Sequence, residues 1–276
     1  MAKKTAVERF TDVSQEPCKT LSPIEGYEKM PLVSLKQALG AIKPPIHDLD
    51  RMVWIVERDL KNLSDGLTSD ESAAIRLYTM EKLNDENESF YTVFNRKLRD
   101  EKRNDLKSWH SYMKLFFTAL YKLTSLKKVI WRGIRGNVSG DYKKDDTCIW
   151  WGVSSCTETM EVLEKFIGRE GIRTIFTIEC INGKAIKSHS SFQNEDEIIL
   201  LPGTFLRVVN KWSPANGLYM IQLREEIPPH QLLAPPFSSS ASSSSMNTTA
   251  SNRITISRPY QSSNVFFVLK EFYLLI

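Results

Sequence analysis

The sequence predicts an α+β fold, a helical first half followed by a β-rich second half, and three observations point there. Apolar residues recur at helical steps as far as Lys128. Thr68-Ser-Asp-Glu71 spells a capping box, the signature of a helix start. After Lys128 the texture changes to short β-branched or aromatic runs broken by Gly, Asn and Pro, as strands and turns require.

Taken in order, residues 1–22 are polar and unpatterned and read as a flexible leader, with the first ordered element near residues 31–39. Leu49, Val53, Val56, Leu60 and Leu63 lie on one helical face that ends before Gly66. In the capping box the Thr68 hydroxyl and the Glu71 carboxylate each take an orphan backbone N–H, and Ile75 and Tyr78 supply the buried side of that helix. Phe90, Phe94 and Leu98 mark a third helix, and Trp109, Met113, Phe116 and Leu120 a fourth. Such aromatic stripes serve either as a cofactor groove or as packing between helices, and packing is the commoner use.

The strand region opens with Val129-Ile-Trp131. Phe176, Ile178 and Cys180 alternate with Thr177 and Glu179, and Tyr219, Ile221 and Leu223 alternate again, both patterns of half-buried strands. Between them, Ile198-Ile-Leu-Leu201 and Phe205-Leu-Arg-Val-Val209 flank the turn signal Pro202-Gly203, and one helix near residues 159–168 interrupts the strands. From Pro228 the pattern gives way to Pro-Pro pairs and a Ser/Thr-rich stretch that buries too little apolar surface to offset its ordering entropy. The expected division is a leader over 1–22, a helical part over 23–128, a β-rich core over 129–234, a linker over 235–252 and a tail over 253–276, a docking segment or an unusual chain end.

Of 276 residues, 41% are hydrophobic and 25% charged, enough for one sizeable core or two small ones. The net charge of +4 comes from basic residues scattered along the chain, so nucleic acid is not an expected partner, whereas an anionic small ligand in one cleft is. No apolar run follows the charged N-terminus, so a secretory signal is not read. The apolar stretch over 265–276 is short for a bilayer and holds Lys270 and Glu271, so no membrane span is read either. Cys18, Cys148, Cys156 and Cys180 show no CxxC spacing, which fits reduced thiols and a cytoplasmic location. His47, His110, His189 and His230 form no metal-like cluster, so no metal is expected.

Three short pieces carry the chemistry: Trp131-Arg132-Gly133, Ser154-Ser155-Cys156-Thr157 and Phe192-Gln-Asn-Glu195-Asp196-Glu197. Each alone has a plain structural reading, as a surface ion pair, a loop and a solvated acidic turn. Strand alternation turns Glu195 and Glu197 to one face and Asp196 to the other, so the two glutamates can converge on one site. Gly133-Ile-Arg-Gly136 leads into no phosphate-binding helix, which argues against a dinucleotide fingerprint. No nucleophile elbow with a Ser-His-Asp order is present. Phe192 stacks on a substrate or anchors its loop, with the anchor favoured, and His189 reads as a loop residue rather than a base.

In this order the three pieces resemble the arginine, serine and Glu-x-Glu signature of the arginine-specific mono-ADP-ribosyltransferases. Leu67-Thr-Ser-Asp-Glu-Ser-Ala-Ala-Ile-Arg-Leu-Tyr-Thr79 is similar to that family's helical lead-in, and Glu195-Asp-Glu-Ile-Ile-Leu-Leu-Pro-Gly-Thr204 to its catalytic loop and strand, so the likeness covers about residues 31–230. It implies a mainly antiparallel split β-sandwich after the helical part, NAD as co-substrate, and an acceptor protein with an exposed arginine. It also implies the roles. Glu197 would stabilise the positive charge that develops on the ribose as nicotinamide leaves, and Glu195 would engage the acceptor guanidinium. Arg132 would bind the diphosphate, Gly133 would offer backbone groups to the nicotinamide amide, and Ser155 would orient Glu197 and the ribose. The usual Ser-Thr-Ser is Ser155-Cys-Thr157 here, which leaves Ser154 and Ser155 both open for the serine role. With water as acceptor the same site would be an NAD glycohydrolase. A non-catalytic binding module on the same fold is the third reading, and the presence of Arg132, Ser155, Glu195 and Glu197 speaks against it.

Overall fold

The structure, a computed structural model, describes residues 20–43, 45–58, 64–84 and 88–237, all within one compact unit. Most of the expected leader, Leu60 and Leu63 of the second stripe, and all but the first three residues of the expected linker and tail lie outside the described residues. Leu21, assigned to the leader, is buried, and the Arg103 Nε donates to the Ser22 carbonyl at 2.9 Å, so the end of that segment belongs to the core.

Five helices come first: α1 (Leu35–Leu39), α2 (Leu49–Arg58), α3 (Ser69–Thr79), α4 (Phe90–Arg99) and α5 (His110–Lys122). The capping box at α3 is present in full. The Thr68 N–H donates to Glu71 Oε2 at 2.8 Å, and the Glu71 N–H to Thr68 Oγ1 at 3.3 Å. The same Glu71 oxygen receives Lys122 Nζ from α5 at 2.7 Å, so one buried carboxylate caps a helix and ties it to its neighbour. The aromatic stripes are core. Phe94 stacks on Trp109 with centroids 5.2 Å apart and meets Tyr112 edge-on at 5.3 Å.

The strands are β1 (Ser125–Arg135), β2 (Thr147–Trp150), β3 (Ser154–Thr157), β4 (Arg173–Ala185), β5 (Glu197–Leu200), β6 (Thr204–Ala215) and β7 (Leu218–Glu225), with helix α6 (Met160–Ile167) between β3 and β4. The β region therefore begins four residues before Val129, and neither four-residue strand ahead of α6 was delimited from the sequence. Strand order is β1-β3-β5-β4-β7-β6-β2, and β1 also pairs with β4. Strands β1, β3, β5 and β4 thus close a ring, while β7, β6 and β2 extend the sheet from β4. Every pairing is antiparallel except that of β4 with β7. This is an α+β fold with a mainly antiparallel sheet, as predicted.

Two apolar cores divide the interior. One unites the helices with Trp151, Val153, Ile199 and Leu201, and the other fills the sheet with Ile130, Cys156, Phe176, Ile198 and Leu200 among others. Alternate residues of β5 thus serve different cores, the period-two rule of a strand buried on both faces. Asn95 on α4 fixes the junction: its Oδ1 accepts the Val153 N–H at 2.9 Å and its Nδ2 donates to the Val153 carbonyl at 3.0 Å. The chain then returns to the helices, where Ile24 bridges Leu233 and the Lys114 ammonium donates to the carbonyls of Glu28 and Pro236. Among the described residues these contacts accordingly extend past 234, to Pro236.

Candidate active site

Strand register brings the three motif pieces together. Trp131 of β1 lies opposite Thr157 of β3, and Thr157 lies opposite Glu197 of β5. Residues directly opposite share a face, so these three form one row across the ring, with Ser155 a diagonal neighbour of Glu197. Glu197 and Ser155 are both fully buried.

Arg132 is also wholly buried, and its Nη1 donates to the Ser155 carbonyl, which ties β1 to β3 beneath the serine. The guanidinium read from the sequence as a phosphate clamp is thus enclosed within the sheet in this structure. Its charge and that of Glu197 reach a common neighbour. Burial pushes the Cys156 thiol up to about 12, opposed by the nearby Arg132 charge and reinforced by the Glu197 carboxylate. Arg132 and Glu197 therefore occupy one neighbourhood.

Two expectations about hydroxyl and backbone contacts are revised. Ser155 was expected to orient Glu197, yet its Oγ is buried with no hydrogen-bond partner among the described residues, and so is that of Ser154. A hydroxyl that reaches the carboxylate is that of Ser190, whose Oγ donates to Glu197 Oε2 at 3.4 Å. Gly133 was read as space for a ligand, but a Cβ there would stand 2.6 Å from Ile167 Cγ2 and 2.8 Å from Leu163 Cδ1, so the missing side chain lets α6 lie against β1. Beyond Trp131 the β3-facing edge of β1 has no register partner among the described residues, and Gly133 lies on that stretch.

Glu195 departs from the strand geometry expected of it. Strand β5 begins only at Glu197, and Glu195 sits half-buried at a bend, its N–H donating to the Phe192 carbonyl at 3.1 Å. Two carboxylates two residues apart are present, but alternation is not what places the first of them. Asp196 pairs with Lys187 at 2.7 Å on the surface.

The loop ahead of β5 is fastened to the helical part by contacts that no local pattern signals. His189 is buried, with Nδ1 2.9 Å from Ser72 Oγ and Nε2 3.2 Å from Asp65 Oδ2. The Ser191 N–H donates to Thr79 Oγ1 at 2.8 Å, and its hydroxyl to the Arg76 carbonyl at 2.9 Å. His189 is indeed a loop residue, but an anchored one.

Comparison with known proteins places the chain in a family. A protein described as erythroblast NAD(P)(+)--arginine ADP-ribosyltransferase from Gallus gallus is 27% identical over 169 residues, which is 58% of this chain and 52% of that protein, so the match spans about half the length of the relative. Exoenzyme S from Pseudomonas aeruginosa, solved with human 14-3-3 protein beta and bound to carba-NAD, shares the fold at 19% identity with a TM-score of 0.50, over 71% of this chain and 92% of that one. The Vis toxin from Vibrio splendidus, an ADP-ribosyltransferase, aligns over 77% of this chain and 96% of its own at 17% identity and a TM-score of 0.48. The family model for NAD:arginine ADP-ribosyltransferase matches residues 46–227, which take in every motif residue of the site, and the chain belongs to that family.

Proposed function

We propose that the protein is a mono-ADP-ribosyltransferase that moves ADP-ribose from NAD to the guanidinium of an arginine on an acceptor protein and releases nicotinamide. The observation that carries this reading is the buried Glu197 at the head of β5, in one row with Thr157 and beside the unpartnered Ser155 hydroxyl, inside the segment matched by the family model. A carboxylate shielded from water interacts strongly with positive charge, and cleavage of the nicotinamide–ribose bond develops such charge on the sugar.

The other residues divide the task. A buried hydroxyl without a partner costs about 1–3 kcal/mol, and a ribose hydroxyl would remove that penalty at Ser155. The β3-facing side of β1 at Gly133 suits the nicotinamide amide, since it has no register partner there among the described residues, while the other side pairs with Ile175 of β4. Arg132 holds Ser155 in place as described and supplies positive charge that favours the anionic diphosphate. Glu195, half-buried beside the buried carboxylate, is suited to meet the acceptor guanidinium with two parallel hydrogen bonds. No metal enters this scheme, and nucleic acid has no part in it. The name of the Gallus gallus relative adds NADP as a second dinucleotide to be tried.

The test is incubation of the full chain with NAD labelled in its ADP-ribose half, with agmatine as a small guanidino acceptor. Label transferred to agmatine supports the transferase. Free ADP-ribose alone makes the protein a glycohydrolase, and bound, uncleaved NAD reduces it to a binding module.

A further inference from the structure

We propose that His189, Ser190 and Ser191 form a clamp through which helix α3 positions the Glu197 carboxylate. The proposal rests on the reading of Glu197 as the charge-stabilising group. The three residues are consecutive and divide into an inner and an outer function. His189 and Ser191 face the helical part, engaging Ser72, Thr79 and the Arg76 carbonyl of α3. That carbonyl lies in the last turn of α3 and also accepts the Thr79 hydroxyl at 3.0 Å, so the Ser191 hydroxyl joins a helix end that is already tied down. Ser190, between them and fully buried, faces the carboxylate.

The Ser190 hydroxyl is orientated by its own surroundings. Its oxygen accepts the Phe192 N–H at 3.0 Å, which leaves its proton to point at Glu197 Oε2, 3.4 Å away. The loop is closed at its base by the Ile186 N–H, which donates to the Glu197 carbonyl at 3.1 Å. The segment from 186 to 197 is thereby pinned at its neck by backbone and at its crown by α3. A glutamate side chain has three rotatable bonds, and a hydroxyl donor held from two sides favours one of its settings. The long helical lead-in thus has a duty in the chemistry: α3, itself fixed by Glu71 to Lys122, is the fixed point from which the carboxylate is set.

The experiment uses full-chain Ser190→Ala, Ser190→Thr, Ser190→Val and Ser72→Ala, with kcat and KM for NAD measured separately in hydrolysis and agmatine transfer, and Tm alongside. Loss of the hydroxyl in Ser190→Ala is expected to lower kcat in both reactions about tenfold with KM for NAD changed less than about twofold. Ser190→Thr, which keeps the hydroxyl, is expected to recover most of kcat, and Ser72→Ala to lower kcat by about threefold through the looser His189 anchor. Thr and Val are alike in shape, so that pair decides the matter where Ser190→Ala fails to fold. Equal kcat in Ser190→Thr and Ser190→Val, or wild-type kcat in Ser190→Ala, overturns the clamp while leaving the transferase reading intact. A wild-type protein that releases no nicotinamide overturns that reading first, and the clamp with it.

Discussion

Gly133 separates packing from ligand access in a single substitution. Its Cα lies under α6, and the Cβ of an alanine would come within 2.6 Å of Ile167 Cγ2 and 2.8 Å of Leu163 Cδ1, distances that real Cβ atoms do not tolerate. Both contacts are side-chain atoms of one buried helix face, so the strain is relieved only by shifting α6 or forcing rotamers. Overpacking of this kind costs about 1–3 kcal/mol. For a domain of this size that corresponds to a fall in Tm of about 2–10 °C in Gly133→Ala, read by thermal denaturation under two-state conditions. The backbone at Gly133 is not in the left-handed region, so conformational strain adds nothing and the cost is steric. A double-mutant cycle isolates the cause. In an Ile167→Ala background the nearest atom is gone, and Gly133→Ala is expected to cost about 1 kcal/mol less than in the wild type. An unchanged Tm in Gly133→Ala, or the same loss in both backgrounds, would refute the steric account.

Further outcomes follow from other contacts. Asn95→Ala removes the acceptor of the buried Val153 N–H and one of two donors to the Val153 carbonyl, the other being the Tyr78 hydroxyl, and a loss of about 1–3 kcal/mol is expected in urea denaturation, with no loss excluding this contact as a stabiliser. Glu197→Gln is expected to reduce nicotinamide release about 100-fold or more, whether or not agmatine is present, and wild-type turnover in that variant would remove Glu197 from the chemistry. Glu195→Gln should lower transfer to agmatine more than hydrolysis, judged from the ratio of labelled agmatine to free ADP-ribose; an unchanged ratio denies it a role in acceptor choice. Burial holds the Cys156 proton, with the thiol pushed up to about 12. Raised above its unfolded value, this group contributes stability below about pH 8.5 that is lost as pH climbs toward about 12, so iodoacetamide should label it at pH 8 only after denaturation. Rapid labelling of the native protein at that residue contradicts the burial.

The helices were legible because each needs only one stripe and one cap, and both are local. Thr68 and Glu71 stand three residues apart and meet in the structure as the spacing requires. Strands β2 and β3 were harder, since four residues are too few for an alternating pattern to show, and β3 is buried along its whole length. The motif residues were found in sequence, but the supporting network was not. His189 contacts residues 117 and 124 positions away, and nothing near it in the chain marks Ser72 or Asp65 as partners. Glu195 was misplaced for a different reason: alternation holds only inside a strand, and the turn at residues 193 and 194 keeps β5 from starting before Glu197. Gly133 shows the same limit from another side, because whether helix or ligand fills the space over a glycine depends on an element thirty residues downstream.

The closed circuit of β1, β3, β5 and β4 has unequal joints. Strands β1 and β4 are laced along ten register positions and β3 and β5 along four, whereas among the described residues β1 and β3 share one register pair, Trp131 with Thr157, beside the Arg132 to Ser155 hydrogen bond. A hoop stressed from within gives way where it is least stitched, and that seam adjoins the carboxylate. Amide exchange near Thr157 should then outpace exchange along the β1–β4 seam.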